Sequence, residues 1–572
     1  MKVFNYLKPY WKEIIIVVIT LFINVLGVLF IPRITVNIID VGVANGDVPY
    51  IIRQGVVMLL VALLSSLFMV ISIRYSTKVA TGFASDLREV MFKKVQNISI
   101  AQFEKLGTPS MIVRSTDDIT QIQNMTRMGL RMMLRAPLMF IGGVFMAITT
   151  NPRLSMVFLV SLPITMGLIA IFGTKLIPIM NKLRIGLDGI NRVFRQRLTG
   201  IRVIRAFDRE EYEQNVFSKY NKDYTDIYEI TGRYQSVLAP GIRLIMSLTL
   251  VSIIYFGSLL ILEGQMQVGE ILGFIQYAQN IMMSFLMLSM IFLQIPRAQA
   301  SLNRINEVLD LEEDIENTGK IILEDIECIE FKNVCFKYPD SNSYSLKDVS
   351  FFANKGDVIG IIGATGSGKT TIANLLVRFY EVEEGQILIN RRDIKEYELQ
   401  SLREQIGYAE QKADLIAGTV CTNVAMAGKK PHEMEIEDAL EIAQAKFVFE
   451  RESGLGSSVE QRGKNFSGGQ KQRISIARAI YKDPSLYLID DSFSALDYKT
   501  EKELREQLYE TIEDKIMLVI TQRATVAADS NFIILLENGE MIGKGTHDEL
   551  KDKSKEYREI LESQDFSEGD RL

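Results

Sequence analysis

Residues 363–370 read GATGSGKT; the apolar stretch VIGIIG, Val358–Gly363, leads into them and the helix-like run TTIANLLVRF follows. That strand–loop–helix order separates a phosphate-binding loop from a chance match. Backbone N–H groups of Ala364, Thr365, Gly366, Ser367, Gly368 and Lys369, with the helix N-terminus, form a cradle for a β-phosphate, flanked by Gly363 and Thr371. Lys369 reaches the β- and γ-phosphates, and Thr370 offers a hydroxyl to Mg²⁺. A second glycine motif, FSGGQ at Phe466–Gln470, opens another helix, where Ser467, Gly468, Gly469 and Gln470 make a second anion nest. Asp490 ends the apolar run LYLID, a position from which a carboxylate holds a metal through water, and Asp491 follows it. A further apolar run ends in ITQR, Ile520–Arg523. The chemistry implied is binding of ATP with Mg²⁺.

The elements before this region are of a different kind. Hydrophobic residues make up 48% of the 572 residues, and long apolar runs crowd the first 296. A membrane-spanning helix needs about 20 mostly apolar residues. Ile14–Ile34, Ile51–Ile73, Leu130–Thr149, Leu154–Ile177, Ile242–Leu262 and Ile271–Ile295 qualify, with polar interruptions in the second and the last two. The connections 35–52 and 263–270 contain no Lys or Arg. Residues 74–129 carry Lys78, Arg88, Lys93, Lys94, Lys105, Arg114 and Arg127, and 178–241 carry Lys182, Arg184, Arg192, Arg195, Arg197, Arg202 and Arg205 among others. The excess of positive charge puts both long connections, and both termini, in the cytosol of a plasma-membrane protein. The N-terminal MKVFNYLKPYWKE has no small-residue cleavage site after the first apolar run. It reads as an amphipathic elbow, with Tyr6, Tyr10 and Trp11 at the interface and Lys2, Lys8 and Lys12 near the headgroups.

Apolar residues such as Ile190, Val193, Phe194 and Leu198 recur at helical spacing, so the membrane helices are expected to continue into the cytosol. Turns between the extensions are expected at Gly107–Val113 and Val203–Arg209. In the sixth helix, Gln276, Gln279 and Asn280, with Met282, Met283, Met287 and Met290, either line a substrate cavity or serve interhelical hydrogen bonding and lipid-facing packing. The expected division is a transmembrane domain over 1–300, a linker over 301–320 with the acidic run Glu312–Glu316, an ATPase domain over 321–562, and a tail over 563–572 with little to bury. A net charge of −6 argues against a nucleic-acid partner. Cys328, Cys335 and Cys421 have no metal-ligand spacing and read as reduced packing thiols.

With KQRISIARAIYKDP at Lys471–Pro484, SALD at Ser494–Asp497 and GTHDEL at Gly545–Leu550, these motifs resemble a half-transporter of the ABC exporter superfamily, type IV fold, over nearly the whole chain. The resemblance implies an all-α six-helix transmembrane domain with long cytosolic helix extensions, followed by an α/β P-loop nucleotide-binding domain. It also implies that the two cytosolic turns are coupling helices docking on ATPase domains. Tyr338, in FKYPD, would stack on adenine. Gln411, in IGYAEQ, would contact Mg²⁺ and the lytic water. Two ATPase domains would meet head-to-tail, so that Ser467–Gln470 of one chain closes over the other's nucleotide and the chain acts as a dimer in the lipid bilayer.

Two departures from the family pattern then stand out. Asp491 replaces a glutamate that polarises the attacking water, and one methylene fewer retracts the carboxylate by about 1 Å, enough for a loss of order 100-fold. Gln522 replaces a histidine that contacts the γ-phosphate, and neither His432 nor His547 is placed to substitute. EQRG at Glu460–Gly463 is a third departure, since homodimeric exporters more often have glutamate directly before Arg-Gly. The pattern resembles the degenerate-site half of bacterial heterodimeric multidrug exporters. The expectation is a chain that binds ATP, hydrolyses it poorly, and supplies its FSGGQ motif to a non-identical half-transporter that moves an amphipathic compound. A lipid flippase, a homodimeric exporter and an ATP-gated regulatory membrane protein are the alternatives.

Overall fold

The computed structural model describes residues 2–311, 319–339, 341–427 and 431–564. The acidic run 312–316 and the tail beyond 564 lie outside the described residues. The chain divides into two compact units, one of Met1–Gln96 with Pro109–Asp310, the other of Asn97–Thr108 with Leu311–Leu572.

The first unit is helical nearly throughout. A 3₁₀ turn over Lys2–Tyr10 precedes α1 (Trp11–Asn37), and Trp11 is exposed while the Tyr10 hydroxyl donates to Asp86 at 2.9 Å. The remaining elements are α2 (Val48–Asn97), α4 (Thr108–Val113), α5 (Ile119–Met128), α6 (Leu134–Thr150), α7 (Pro152–Ala206), α8 (Glu210–Leu262) and α9 (Val268–Leu309). Among the described residues, six helical stretches are long and apolar enough to cross a membrane. At 1.5 Å per residue, the 50 residues of α2 run about 75 Å, far beyond a hydrocarbon core of about 30 Å, so apolar spans continue as polar extensions. At the far end of α7 only Phe207–Arg209 leave helical structure before α8 starts, a shorter break than Val203–Arg209, with Asp208 at φ 50°.

Burial in this unit gathers residues of α1, α6, α7, α8 and α9 around Val25, Leu29, Met139, Phe158, Ile253, Phe274 and Ile281, with Phe158 stacked on Phe274 at 5.3 Å. A side chain at Gly143 would start 2.8 Å from Ile281, which is why the helices approach so closely there. Two polar side chains link helices inside the bundle: Asn24 donates to the Ser65 carbonyl at 2.8 Å, and Asp40 accepts the Gly269 N–H at 2.6 Å, capping the start of α9.

The first expected turn is placed differently. The segment Gly107–Val113 is not a turn: only Gly107, at φ 73°, leaves helical geometry, and α4 begins at Thr108. The separate short helix lies before it, α3 (Ile100–Leu106), inside the second unit. Ser99 accepts the Gln102 N–H at its start, and Gly107 in the left-handed region ends it, a Ser-to-Gly bracket that apolar periodicity does not reveal. Ile100 and Ala101 pack on the second unit's core, and Tyr380 donates to Glu104 at 3.0 Å.

That second unit is built on a ten-stranded sheet in the order β5-β4-β1-β2-β12-β11-β3-β10-β9-β6. Its strands are β1 (Cys328–Phe336), β2 (Leu346–Asn354), β3 (Val358–Gly363), β4 (Glu384–Ile389), β5 (Arg392–Asp393), β6 (Ile406–Ala409), β9 (Leu486–Asp490), β10 (Ile516–Thr521), β11 (Phe532–Glu537) and β12 (Glu540–Gly545), with β7 (Gly418–Thr419) and β8 (Ser458–Val459) forming a separate pair. Strands β11, β3, β10, β9 and β6 run parallel, and β9 and β10 are buried along their whole length, as both-face coverage by helices requires. Helix α10 (Lys369–Leu376) leaves the loop after β3.

A buried ionic cluster joins the start of the α4–α5 stretch to α9. Asp118, only 2% exposed, accepts from Ser301 at 2.8 Å and from the Arg304 Nε at 2.7 Å, while Arg114 donates to the Arg304 carbonyl and pairs with Glu307. Removing one partner of a buried pair is costly because the other is left uncompensated. The Arg304 side chain is 40% exposed, which softens the penalty. Asp118→Ala should therefore destabilise the full-length chain by about 2–3 kcal/mol, with Asp118→Asn costing less. Thermal melting in detergent checks this; an unchanged melting temperature for the alanine variant would refute it.

Candidate functional site

The parallel strands decide which residues meet. Their hydrogen-bonded register sets Ile520 of β10 opposite Asp490 of β9, and Thr521 opposite Ile362 of β3. The C-terminal ends of β3, β10, β9 and β6 therefore release the phosphate loop, Gln522, Asp491 and Gln411 side by side, in the crevice where open α/β sheets place ligands. A cavity of about 260 Å³ there is lined by Tyr338, Ser345, Thr365, Gly366, Gly368, Lys369, Thr370, Thr371, Gln411, Asp490, Asp491 and Gln522.

The loop is shaped by Gly366 and Gly368, at φ 82° and 98°. A side chain at Gly368 would also start 2.4 Å from the Ser345 carbonyl, so this position requires glycine twice over. Gly363 and Ala364 present their carbonyls to the Lys369 ammonium at 2.8 and 2.7 Å, with the Ser367 hydroxyl at 3.4 Å. Burial pulls the Lys369 ammonium below its ordinary value, while Asp491 and Asp490 oppose that shift.

Thr370 donates to Asp490 at 3.2 Å, and the Tyr408 hydroxyl lies 3.5 Å from the other carboxylate oxygen. Burial pushes the Asp490 carboxyl up to about 6, against the Thr370 hydrogen bond and with the neighbouring Asp491 charge. Burial raises Asp491 as well, offset by the Gln411 amide, which donates to it at 3.2 Å. Two adjacent buried carboxylates beside a hydroxyl and an amide oxygen are a hard-oxygen donor set, which fits Mg²⁺. No cluster of three His, Cys, Asp or Glu occurs among the described residues.

Asp491 sits at φ 47°, and its N–H donates to the Ile520 carbonyl at 2.7 Å. Aspartate tolerates the left-handed region better than most residues, so the shorter acid is accommodated without disturbing the pocket. Gln522 accepts from Thr365 at 3.4 Å, linking the end of β10 to the phosphate loop. His547 is 1% exposed with Nδ1 2.9 Å from the Tyr557 hydroxyl, and His432 immediately precedes the helix Glu433–Ile442 without a side-chain capping bond; neither lines the cavity. Tyr338 lines it, its hydroxyl 3.2 Å from that of Thr371 and its ring edge-on to Phe336 and Tyr380.

Ser467–Gln470 stand apart from this cavity. Ser467 and Gln470 form a reciprocal capping box at the start of the helix Gly468–Tyr481, and Ser467 and Gly468 are exposed. The chain's own phosphate loop and its own second nest are thus separate sites. Ser345 escaped the sequence reading, because a lone residue at a strand start carries no motif, and Tyr408 was passed over inside IGYAEQ, where Gln411 alone was singled out.

In the first unit, a cavity of about 860 Å³ between α8 and α9 is lined in part by Gln279, Met282 and Met283, with Arg243, Met246 and Ser247 of α8 opposite. Gln276, Asn280 and Met287 are half-buried and do not line it, and the side chain of Met290 lies outside the described residues. Arg243 was missed because it falls at the margin of an apolar run.

The raised Asp490 carboxyl has a consequence for metal binding. With Asp490 as a metal ligand, a proton on it would remove charge that balances Mg²⁺, and Mg²⁺-dependent tightening of nucleotide binding should then fade as pH drops through about 6. Asp490→Asn should show little tightening at any pH. Nucleotide titrations of the full-length chain with Mg²⁺ and with chelator, at pH 5.5 and 7.5, measure this; equal tightening at both pH values would contradict it.

Residues 14–285 match the family profile of the ABC transporter transmembrane region, and residues 346–494 match that of the ABC transporter. An uncharacterized ABC transporter ATP-binding protein of Mycobacterium tuberculosis is 34% identical over 569 residues, covering 98% of each chain. Another, YfiB of Bacillus subtilis, is 36% identical over 569 residues and 99% of each chain. An ATP-dependent lipid A-core flippase of Vibrio parahaemolyticus is 26% identical over 562 residues, 98% of this chain and 96% of the flippase. The fold matches a bacterial Atm1-family ABC exporter solved with ATP bound, at a TM-score of 0.80 and 21% identity, over 98% of this chain and 99% of that one. With helices that span a membrane, a P-loop sheet, and relatives matched end to end, the chain belongs to the ABC transporter family, its transmembrane region fused to its ATPase domain in a fold shared with that exporter.

Proposed function

We propose that this chain is the degenerate-site half of a heterodimeric exporter of amphipathic compounds in the plasma membrane, its ATPase domain in the cytosol. The observation that carries the reading is the pair Asp491 and Gln522 in a nucleotide pocket that is otherwise complete. Tyr338 would stack on adenine, and the loop from Gly363 to Thr371 would hold the phosphates. Lys369, caught between two of its own loop carbonyls, exchanges them for phosphate oxygens. Thr370, Asp490 and Gln411 would hold Mg²⁺, which when bound offsets phosphate charge. Asp491, held by Gln411 and one methylene short, presents its carboxylate too far back to take a proton from water efficiently. Gln522 is neutral and carries no imidazole.

Ser467–Gln470, outside this pocket and with Ser467 and Gly468 exposed, would close over the nucleotide of a non-identical partner, where turnover is concentrated. ATP held at the slow site keeps the two ATPase domains associated between turnovers. The α8–α9 cavity, with its methionines, suits adaptable apolar contact with substrate. A second reading, a lipid flippase, is favoured by the full-length similarity to the Vibrio protein.

Phosphate release by the purified chain tests the asymmetry. Turnover should be near background alone and should appear on co-expression with a partner half-transporter. Asp491→Glu combined with Gln522→His should raise turnover of the chain alone at least tenfold, approaching the order of 100-fold expected of a restored general base. Robust turnover by the unmodified chain alone would refute the degenerate site and favour a homodimeric exporter.

A further inference from the structure

The residues after Gln522 are held by a part of the chain that none of the nucleotide motifs includes. The C-terminal helix Lys555–Ser563 is anchored by Tyr557 and Leu561 in a core shared with Ile362, Ala524 and Ala527. Ile362 immediately precedes the phosphate loop, and Ala524 begins the short helix Ala524–Ala528 after the switch segment. At the end of the C-terminal helix, the Gln564 side chain reaches that segment with both halves of its amide. Its Nε2 donates to the Gln522 carbonyl at 2.7 Å, and its Oε1 accepts the Ala524 N–H at 2.8 Å.

A primary amide bonded to the carbonyl of one residue and the N–H of the second residue after it reproduces the pairing of an adjacent β-strand. The backbone of 522–524 is thereby fixed just beyond the end of β10, where sheet pairing has stopped. The Gln522 side chain, aimed at Thr365 of the phosphate loop, starts from this fixed backbone.

We propose that Gln564 is a positioning residue for the switch segment, holding Gln522 in the orientation from which the pocket distinguishes ATP from ADP. The proposal rests on the reading of the pocket as an ATP site with Gln522 at the γ-phosphate. The amide pairing makes two neutral hydrogen bonds, partly replaceable by water because Gln564 is exposed. Its loss should spread the orientations of Gln522 without touching the residues that bind adenine or the β-phosphate.

The test is equilibrium binding of Mg²⁺–ATP and Mg²⁺–ADP to the full-length chain in lipid nanodiscs. Gln564→Ala should weaken ATP about fivefold to tenfold and leave ADP within about twofold. Gln564→Glu keeps an acceptor for the Ala524 N–H but loses the donor to the Gln522 carbonyl. It should fold as wild type does and show the same selective loss, so the test stands even where the alanine variant misfolds. Equal weakening of ATP and ADP by the glutamate variant would mean a merely structural contact and overturn the proposal, as would unchanged affinities. An unmodified chain that fails to bind ATP would overturn the nucleotide-site reading as well; one that prefers ATP while both variants match it would overturn the Gln564 assignment alone.

Discussion

Everything in the nucleotide site depends on the parallel hydrogen-bonded register of β3, β10, β9 and β6. Phosphate loop, switch, acidic residue and Gln411 are separated by tens to more than a hundred residues along the chain, and no local interaction holds them together. The ladder that pairs Met517 with both Val358 and Tyr487 brings their strand ends to one edge. Full burial of β9 and β10 makes a register slip prohibitive, since moving by one residue would exchange the faces of every side chain.

The site that results is electrostatically unfinished. Asp490 and Asp491 share a buried corner, and Lys369 turns its charge onto its own loop's carbonyls. Each carboxyl is pushed toward its neutral form by burial, which a divalent cation would reverse. Asp491 and Gln522, the positions that depart from the family pattern, line the same cavity as the phosphate loop, Asp490 and Gln411.

The helical unit solves a different problem. Its spans bury little of their length, and threonines within them are satisfied locally, as where Thr20, Thr165 and Thr249 hydrogen-bond carbonyls one turn back. Specific interhelical contacts are few and consequently informative: the Asp118 cluster, the Asp40 cap on α9, and glycine contacts such as Gly143 against Ile281. Docking of α3 by Ile100, Ala101 and Glu104 shows how short a segment suffices when two caps isolate it from the long helices on either side.

The amino-acid sequence alone determined the six apolar spans, the strand–loop–helix around Lys369, and most of the residues that line the cavity at the strand ends, because each is a local pattern whose physics is complete within a few turns or strands. It also carried the two substitutions, Asp491 and Gln522, since motif positions are defined by spacing. Only the tertiary structure decided what those residues touch. Gln411 on Asp491, Thr365 on Gln522 and Gln564 behind Gln522 are contacts between distant segments. Likewise, α3 rather than Gly107–Val113 is the separate short helix, because the break was set by Ser99 and Gly107 and its docking by a core elsewhere in the chain. Ser345 and Arg243 line their cavities through packing geometry, which has no signature in the order of residues along one strand or helix.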